Sequence, residues 1–175
     1  AGQQETFLNV SGEKEILLSI KQVYASLYTE RAISYREHQG FNHDSALLSV
    51  GIQQMVRSDL AQSGVMFTID TESGFDQVVF ITSTFGLGET IVQGAVNPDE
   101  FYVHKGLIKN GKPSILRRNL GAKAVKMTYS DDGDSTVVTS RVDREQRLTF
   151  SINDEDVEEL ARLALKIEDH YGKPM

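Results

Sequence analysis

The 175-residue chain contains no cysteine. That excludes disulfides, thiolate metal sites and a cysteine nucleophile. Positive charge is also scarce. Eighteen Lys and Arg stand against 25 Asp and Glu, a net charge of −7, and the sequence pI is about 5.1. Recognition of a nucleic-acid backbone or an anionic membrane shows as clustered cations, so neither partner is expected here. A single nucleotide needs only a few local donors and remains compatible with the acidity. No apolar run approaches the ~18 residues of a membrane span, and the start lacks a signal-peptide pattern. These absences fit a cytoplasmic protein.

What is present is an ordinary globular composition, 39% hydrophobic and 25% charged, in a chain long enough to bury a core. Ile16, Leu17, Ile20, Val23, Tyr24, Leu27 and Tyr28 recur at helical spacing and predict a helix over 13–30 with Ser11 as its N-cap. Residues 35–44 read as a polar loop. Residues 46–56, 64–70 and 77–83 are short, apolar and strand-like. The turn residues Thr71-Glu72-Ser73-Gly74 join the last two into a hairpin. A Gly-rich turn, Phe85-Gly86-Leu87-Gly88, opens a short helix that closes at Gly94. Residues 100–104 predict a further strand, and Asn110-Gly111 a tight hairpin. Residues 124–129 and 136–140 flank Asp131-Asp132-Gly133-Asp134 as another hairpin. A last helix starts at the N-cap Asn153 with Asp154, Glu155 and Asp156 in its first turn; Val157, Leu160, Ala161, Ala164 and Ile167 form its inward stripe. The fold class is α+β, mostly antiparallel sheet with flanking helices. The chain opens on Ala1 and closes on Gly172-Lys173-Pro174-Met175 directly after a strong helix, the pattern of a piece cut from a longer protein.

Short motifs give little chemistry. Gly86-x-Gly88 lacks the third glycine of a dinucleotide fingerprint, because position 91 is Ile. Gly106 to Lys112 imitates a P-loop, but position 113 is Pro where Ser or Thr must ligate magnesium. His38, His43, His104 and His170 are scattered without metal-ligand spacing. Asp131, Asp132 and Asp134 fit a solvated turn better than a calcium loop. No residue of the chain is assigned as catalytic or as a metal ligand.

A longer pattern says more. Met55-Val56-Arg57-Ser58-Asp59-Leu60, Ser63-Gly64-Val65-Met66-Phe67, Asp70-Thr71-Glu72-Ser73-Gly74, Gly86-Leu87-Gly88-Glu89 and Val96-Asn97-Pro98-Asp99-Glu100-Phe101 together resemble the phosphoenolpyruvate synthase family. Ala1-Gly2-Gln3-Gln4-Glu5-Thr6-Phe7 resembles that family's S-F-A-G-Q-Q-x-T loop entered partway. His170 to Met175 resembles the lead-in to its D-x-E-W segment. The resemblance covers essentially the whole chain.

It implies that residues 1–175 are part of one ATP-grasp nucleotide-binding domain, truncated at both ends. In the complete enzyme, Mg-ATP would phosphorylate a histidine on a mobile domain, and pyruvate bound on a separate domain would become phosphoenolpyruvate, leaving AMP and phosphate. ATP and Mg2+ are thus the implied substrate and cofactor, pyruvate an implied partner held elsewhere, and homo-oligomer formation an open expectation. Carried over by position, Gly2 and Thr6 belong to the loop that meets the phosphates. Gln53, on an expected strand over 50–56, meets adenine, and Gln54 and Met55 line the same pocket. Glu89, in a helix first turn, and Lys123 are lesser candidates for orienting a cation and reaching a phosphate; a solvated lysine is the default for Lys123. The phosphate-holding Lys and Arg are expected before Ala1 and the metal-binding carboxylates after Met175, so this piece alone is expected to be inactive. Two other readings stay open: a rifamycin-type antibiotic phosphotransferase built on the same relay, and a non-catalytic nucleotide-binding module. Native length separates the module from the enzymes.

Overall fold

A computed structural model describes residues 4–130 and 137–175. The chain divides into two compact units, Ala1–Val56 and Arg57–Met175.

The N-terminal unit is helical. Helix α1 spans Glu13–Ala25 and α2 spans Glu30–Gln39. The single helix expected over 13–30 is therefore broken, and the supposed loop after residue 35 is helical as far as Gln39. The break lies at a 3-10 turn, Ser26–Tyr28, where the Ser26 hydroxyl donates to the Val23 carbonyl at 2.6 Å. Thr29 then caps α2 by accepting from the Ala32 N–H at 3.4 Å, and Gly40, at φ 69°, ends it in the left-handed conformation. Helix α2 shows no hydrophobic period because it buries only Ala32 and Arg36. The buried Arg36 guanidinium ties the unit together, donating to the Leu27 carbonyl at 2.6 Å and to His43 Nδ1 at 3.0 Å. Helix α1 starts after Gly12, not Ser11. Residues 46–56 form no strand. Their apolar pattern had suggested one, but the described part of this unit contains no sheet for them to pair with.

The C-terminal unit holds the sheet. Strands β1 (Gln62–Phe67), β2 (Val78–Phe85), β3 (Asp99–His104) and β4 (Ile115–Asn119) lie in sequence order, each antiparallel to the next. The β1–β2 hairpin has the expected Thr71–Gly74 turn. A short helix α3 (Glu89–Val92) follows β2, ending near Gly94 as read from the sequence. The Asn110-Gly111 hairpin does not form. Helix α4 (Lys105–Lys109) occupies the connection instead, capped by His104 Nδ1, which accepts from the Leu107 N–H at 3.2 Å; Gly111 at φ 63° turns the chain into β4. The Asn-Gly pair thus closes a helical turn, since both motifs use its left-handed glycine.

Strands β5 (Val125–Tyr129) and β6 (Val137–Arg141) pair antiparallel. The acidic turn expected between them, including Asp131, Asp132 and Asp134, lies outside the described residues. Helix α5 (Arg144–Arg147) leads to α6 (Asp154–Tyr171), capped as expected by Asn153 Oδ1, which accepts from Asp156 N–H at 2.8 Å. Helix α6 packs Val157, Ala161, Ala164 and Leu165 on Val79, Ile81, Phe101 and Val103 of the sheet, with Ile108 of α4 completing the core. Ile167, expected inside, is exposed, and Leu165 takes the inward place. No described helix is long and apolar enough to cross a membrane.

Candidate functional site

The N-terminal unit contains a groove of about 550 Å3, within the range of small-ligand sites. One wall is the loop from Gln4 to Val10. The opposite wall is residues 48–55, and Ile16, Ser19, Ile20 and Val23 of α1 form the base. Two anchors set the loop. Ser26, almost fully buried, has its Oγ 2.8 Å from the Gln4 side-chain amide and accepts from the Glu5 N–H at 3.3 Å. At the other end the Asn9 N–H donates to Met55 Sδ at 3.2 Å. Asn9 adopts φ 54°, a left-handed conformation that asparagine tolerates better than most residues. Thr6 lies exposed between these anchors.

The structure therefore brings four of the sequence-predicted residues, Thr6, Gln53, Gln54 and Met55, to one groove from segments far apart in the chain. Gln53 and Gln54 are exposed and Met55 is half-buried. Gln53 sits on an irregular extended segment, not the strand expected for it. Gly2 lies outside the described residues. What the sequence did not single out is the α1 face. Ile16, Ile20 and Val23 belong to the apolar stripe that predicts the helix; α1 buries no residue fully, and those side chains line the groove. Asn9 was missed as well. Only its tolerance of left-handed φ hinted at a special loop.

The lining offers apolar surface from Ile16, Ile20, Val23, Val50 and Met55, with side-chain amides from Gln53 and Gln54 and one hydroxyl from Thr6. A flat heterocycle can lie on such aliphatic surface while an amide supplies one donor and one acceptor to its edge. No Lys or Arg belongs to the described lining, so these residues suit the base of a nucleotide better than its phosphates.

The lesser candidates lie in the C-terminal unit. Glu89 occupies the first turn of α3, as expected. Its carboxylate and that of Asp59 reinforce the effect of burial in raising the Tyr129 phenol above its usual value. Lys123 is neither solvated nor placed to meet a phosphate. It is fully buried, with Nζ 2.5 Å from Asp99 Oδ1 and 3.1 Å from the Gly121 carbonyl. Asp99, also fully buried, accepts three more bonds, from Gly121 N–H at 2.8 Å, Ser151 N–H at 2.7 Å and Ser151 Oγ at 2.8 Å. Lys123 is held in this ion pair, and the Asp99 carboxylate ties residues 121–123 and 151 to the start of β3. Among the described residues no three His, Asp or Glu converge to hold a metal ion.

Arg57 and Asp59 form a two-point ion pair at 2.8 Å for each bond, with the Asp59 carboxylate almost fully buried. The Arg57 hydrogen bonds hold the Asp59 carboxyl below the usual carboxylate range, against the opposing effect of burial. With the folded value depressed, the pair contributes stability above about pH 4, the ordinary aspartate value, and loses it as pH falls below that. Asp59→Asn is therefore expected to flatten the dependence of stability on pH below pH 4, measured by urea unfolding from pH 2 to pH 7. A variant whose acid limb matched the parent's would refute the assignment.

Comparison with known proteins follows the same lines. The profile of the family described as "Pyruvate phosphate dikinase, AMP/ATP-binding domain" matches residues 1–175. Phosphoenolpyruvate synthase of Escherichia coli K12 is 59% identical over 177 aligned residues, covering 100% of this chain and 22% of that protein. The Deinococcus radiodurans phosphoenolpyruvate synthase is 56% identical, again over 100% of this chain and 22% of the relative. A probable phosphoenolpyruvate synthase of Methanocaldococcus jannaschii is 37% identical over 100% of this chain and 14% of its own length. The chain thus spans about a fifth of the length of the bacterial relatives.

Proposed function

The chain belongs to the pyruvate phosphate dikinase AMP/ATP-binding domain family, and we propose from that membership that it is the ATP-binding portion of a phosphoenolpyruvate synthase. The whole enzyme would convert ATP, pyruvate and water to AMP, phosphoenolpyruvate and phosphate, through a phosphohistidine carried on another domain. Phosphoryl transfer depends chiefly on positioning and on neutralising oxygen charge, which allows a carrier to serve two separate sites. The fold would be of the ATP-grasp type, with residues 1–175 as part of one nucleotide-binding domain. Magnesium would accompany the nucleotide as its counter-ion, and pyruvate would bind elsewhere in the polypeptide. The protein would act in the cytoplasm, with homo-oligomer formation compatible with the reading. The relatives' names favour pyruvate over an antibiotic as the acceptor.

The observation that carries this reading is the convergence of Thr6, Gln53, Gln54 and Met55 on one partly apolar groove. Gln53 would pair with the adenine edge, Gln54 and Met55 would flank the base, and the Thr6 hydroxyl, with the Gly2 backbone, would meet the phosphate end. In the complete enzyme, Gln53→Ala is expected to weaken ATP binding up to about tenfold, the worth of one neutral hydrogen-bonded contact, with the thermal midpoint unchanged. Unaltered affinity in calorimetric titration would remove the adenine assignment. Thr6→Val, which deletes a hydroxyl at nearly constant shape, is expected to lower kcat/KM for ATP several-fold. Parent kinetics would return Thr6 to a purely structural role.

A further inference from the structure

Among the described residues three cations are buried: Arg36, Lys105 and Lys123. Burying a charge is costly unless it is paired. Lys105 meets Glu168 at 2.6 Å, and Lys123 meets Asp99 at 2.5 Å. Arg36, only 7% exposed, differs from both. No Asp or Glu among the described residues forms an ion pair with its guanidinium. Its Nη2 donates to the Leu27 carbonyl at 2.6 Å and its Nε to His43 Nδ1 at 3.0 Å. Both acceptors are neutral, since an imidazole nitrogen that accepts carries no proton. Glu37, next to it in α2, lies instead by the far side of His43, with Oε1 3.8 Å from Nε2. The last turn of α2, where Arg36 sits, offers only partial negative charge.

A guanidinium has five N–H donors, and these two bonds use one each on Nη2 and Nε. Nη1 has no hydrogen-bond partner among the described residues. Arg36 also lines a further cavity of the N-terminal unit, of about 450 Å3, a size typical of small-ligand sites. Leu27, Tyr35, Phe41 and Leu47 give that cavity apolar surface, and Asn42 adds an amide. Arg36 is the one charged residue of its described lining. A single positive charge balances a carboxylate and leaves a phosphate dianion half-compensated, and the planar guanidinium matches a planar carboxylate donor for acceptor.

We propose that this cavity binds a small monocarboxylate with an apolar body. Arg36 takes the carboxylate through the donors that its two protein bonds leave over, and Leu27, Phe41 and the Tyr35 ring receive the body. The ligand thereby supplies the counter-charge that Glu168 and Asp99 supply to the two buried lysines. The inference goes beyond the nucleotide reading and holds whatever the neighbouring groove binds.

Ligand-detected NMR titration of the complete protein with phenylacetate tests it, with neutral phenylacetamide and dianionic phenylphosphonate as probes of charge. Phenylacetate is expected to bind in the millimolar range. Phenylacetamide is expected to bind about tenfold more weakly, the worth of one charge-assisted hydrogen bond. Absence of phenylacetate binding would overturn the proposal, and would mean that another part of the polypeptide closes the cavity or pairs with Arg36. Equal binding of the amide, or tighter binding of the phosphonate, would overturn the carboxylate assignment. Arg36→Lys keeps the charge but loses the planar fork, and is expected to weaken phenylacetate binding about tenfold. Leu47→Asp is the second variant, because Leu47 is almost fully exposed where it lines the cavity. It sets a like charge beside the ligand without disturbing packing, and is expected to weaken binding several-fold at an unchanged thermal midpoint. Should Arg36→Lys fail to fold, Leu47→Asp decides alone. Parent affinity in that variant would place the probe elsewhere on the protein and overturn the site.

Discussion

Lys123→Met is expected to destabilise the C-terminal unit by about 3–5 kcal/mol, the usual cost of removing one partner of a buried ion pair. Lys123 and Asp99 are both inaccessible to solvent. Methionine fills most of the lysine volume but leaves the Asp99 carboxylate charged with only Gly121 and Ser151 as donors. The penalty therefore comes from an uncompensated buried charge more than from a lost contact. The double variant Asp99→Asn with Lys123→Met is expected to recover part of the loss, because the stranded charge is gone while the carboxamide keeps a hydrogen-bonding oxygen. Urea unfolding of the three proteins measures both effects. A loss below about 1 kcal/mol for Lys123→Met would mean that the pair contributes little beyond packing.

Gly86→Ala should be nearly as damaging, for a different reason. Gly86 has φ 81°, and a Cβ built there would overlap the Met127 carbonyl oxygen on the neighbouring strand. Left-handed backbone costs an L-residue roughly 1–2 kcal/mol, and forcing an atom into packed structure adds about 1–3 kcal/mol. The sum approaches that of the ion-pair variant. Gly94 provides the control. It has φ 67° with open space where a Cβ would go, so Gly94→Ala should show the backbone cost alone. Equal losses at the two positions would mean that the contact between residue 86 and β5 is not a constraint.

These two sites show how unevenly the sequence discloses the molecule. The antiparallel hairpin β1–β2, the capped helix α6 and the short helix after the Gly-rich turn were legible because local signals and tertiary environment agree there. Gly86 was legible as a turn, but the reason for glycine is a carbonyl 41 positions away in sequence, which no local pattern reveals. Lys123 was misread for the same reason. A lysine in the run Gly121-Ala122-Lys123 looks solvated until the buried Asp99 is seen to hold it.

The N-terminal unit was the harder half. Helix α2 is too polar for hydrophobic periodicity to detect, and residues 46–56 look like a strand but have no sheet to join among the described residues of their unit. Alternating apolar character reports extended backbone and not pairing. The groove was legible only through resemblance. Position carries Thr6, Gln53, Gln54 and Met55 to one groove, while Ile16, Ile20 and Val23 give a helical stripe that would serve equally well for a core. Which use applies depends on whether another element covers the stripe.

We propose that the family's ATP-binding domain works here in the service of pyruvate phosphorylation. Phosphorus NMR of the complete protein with magnesium, ATP and pyruvate tests it most directly. Phosphoenolpyruvate appearing together with AMP and inorganic phosphate, and only when pyruvate is present, is the predicted result. Stable ATP, or AMP released at the same rate without pyruvate, would contradict it.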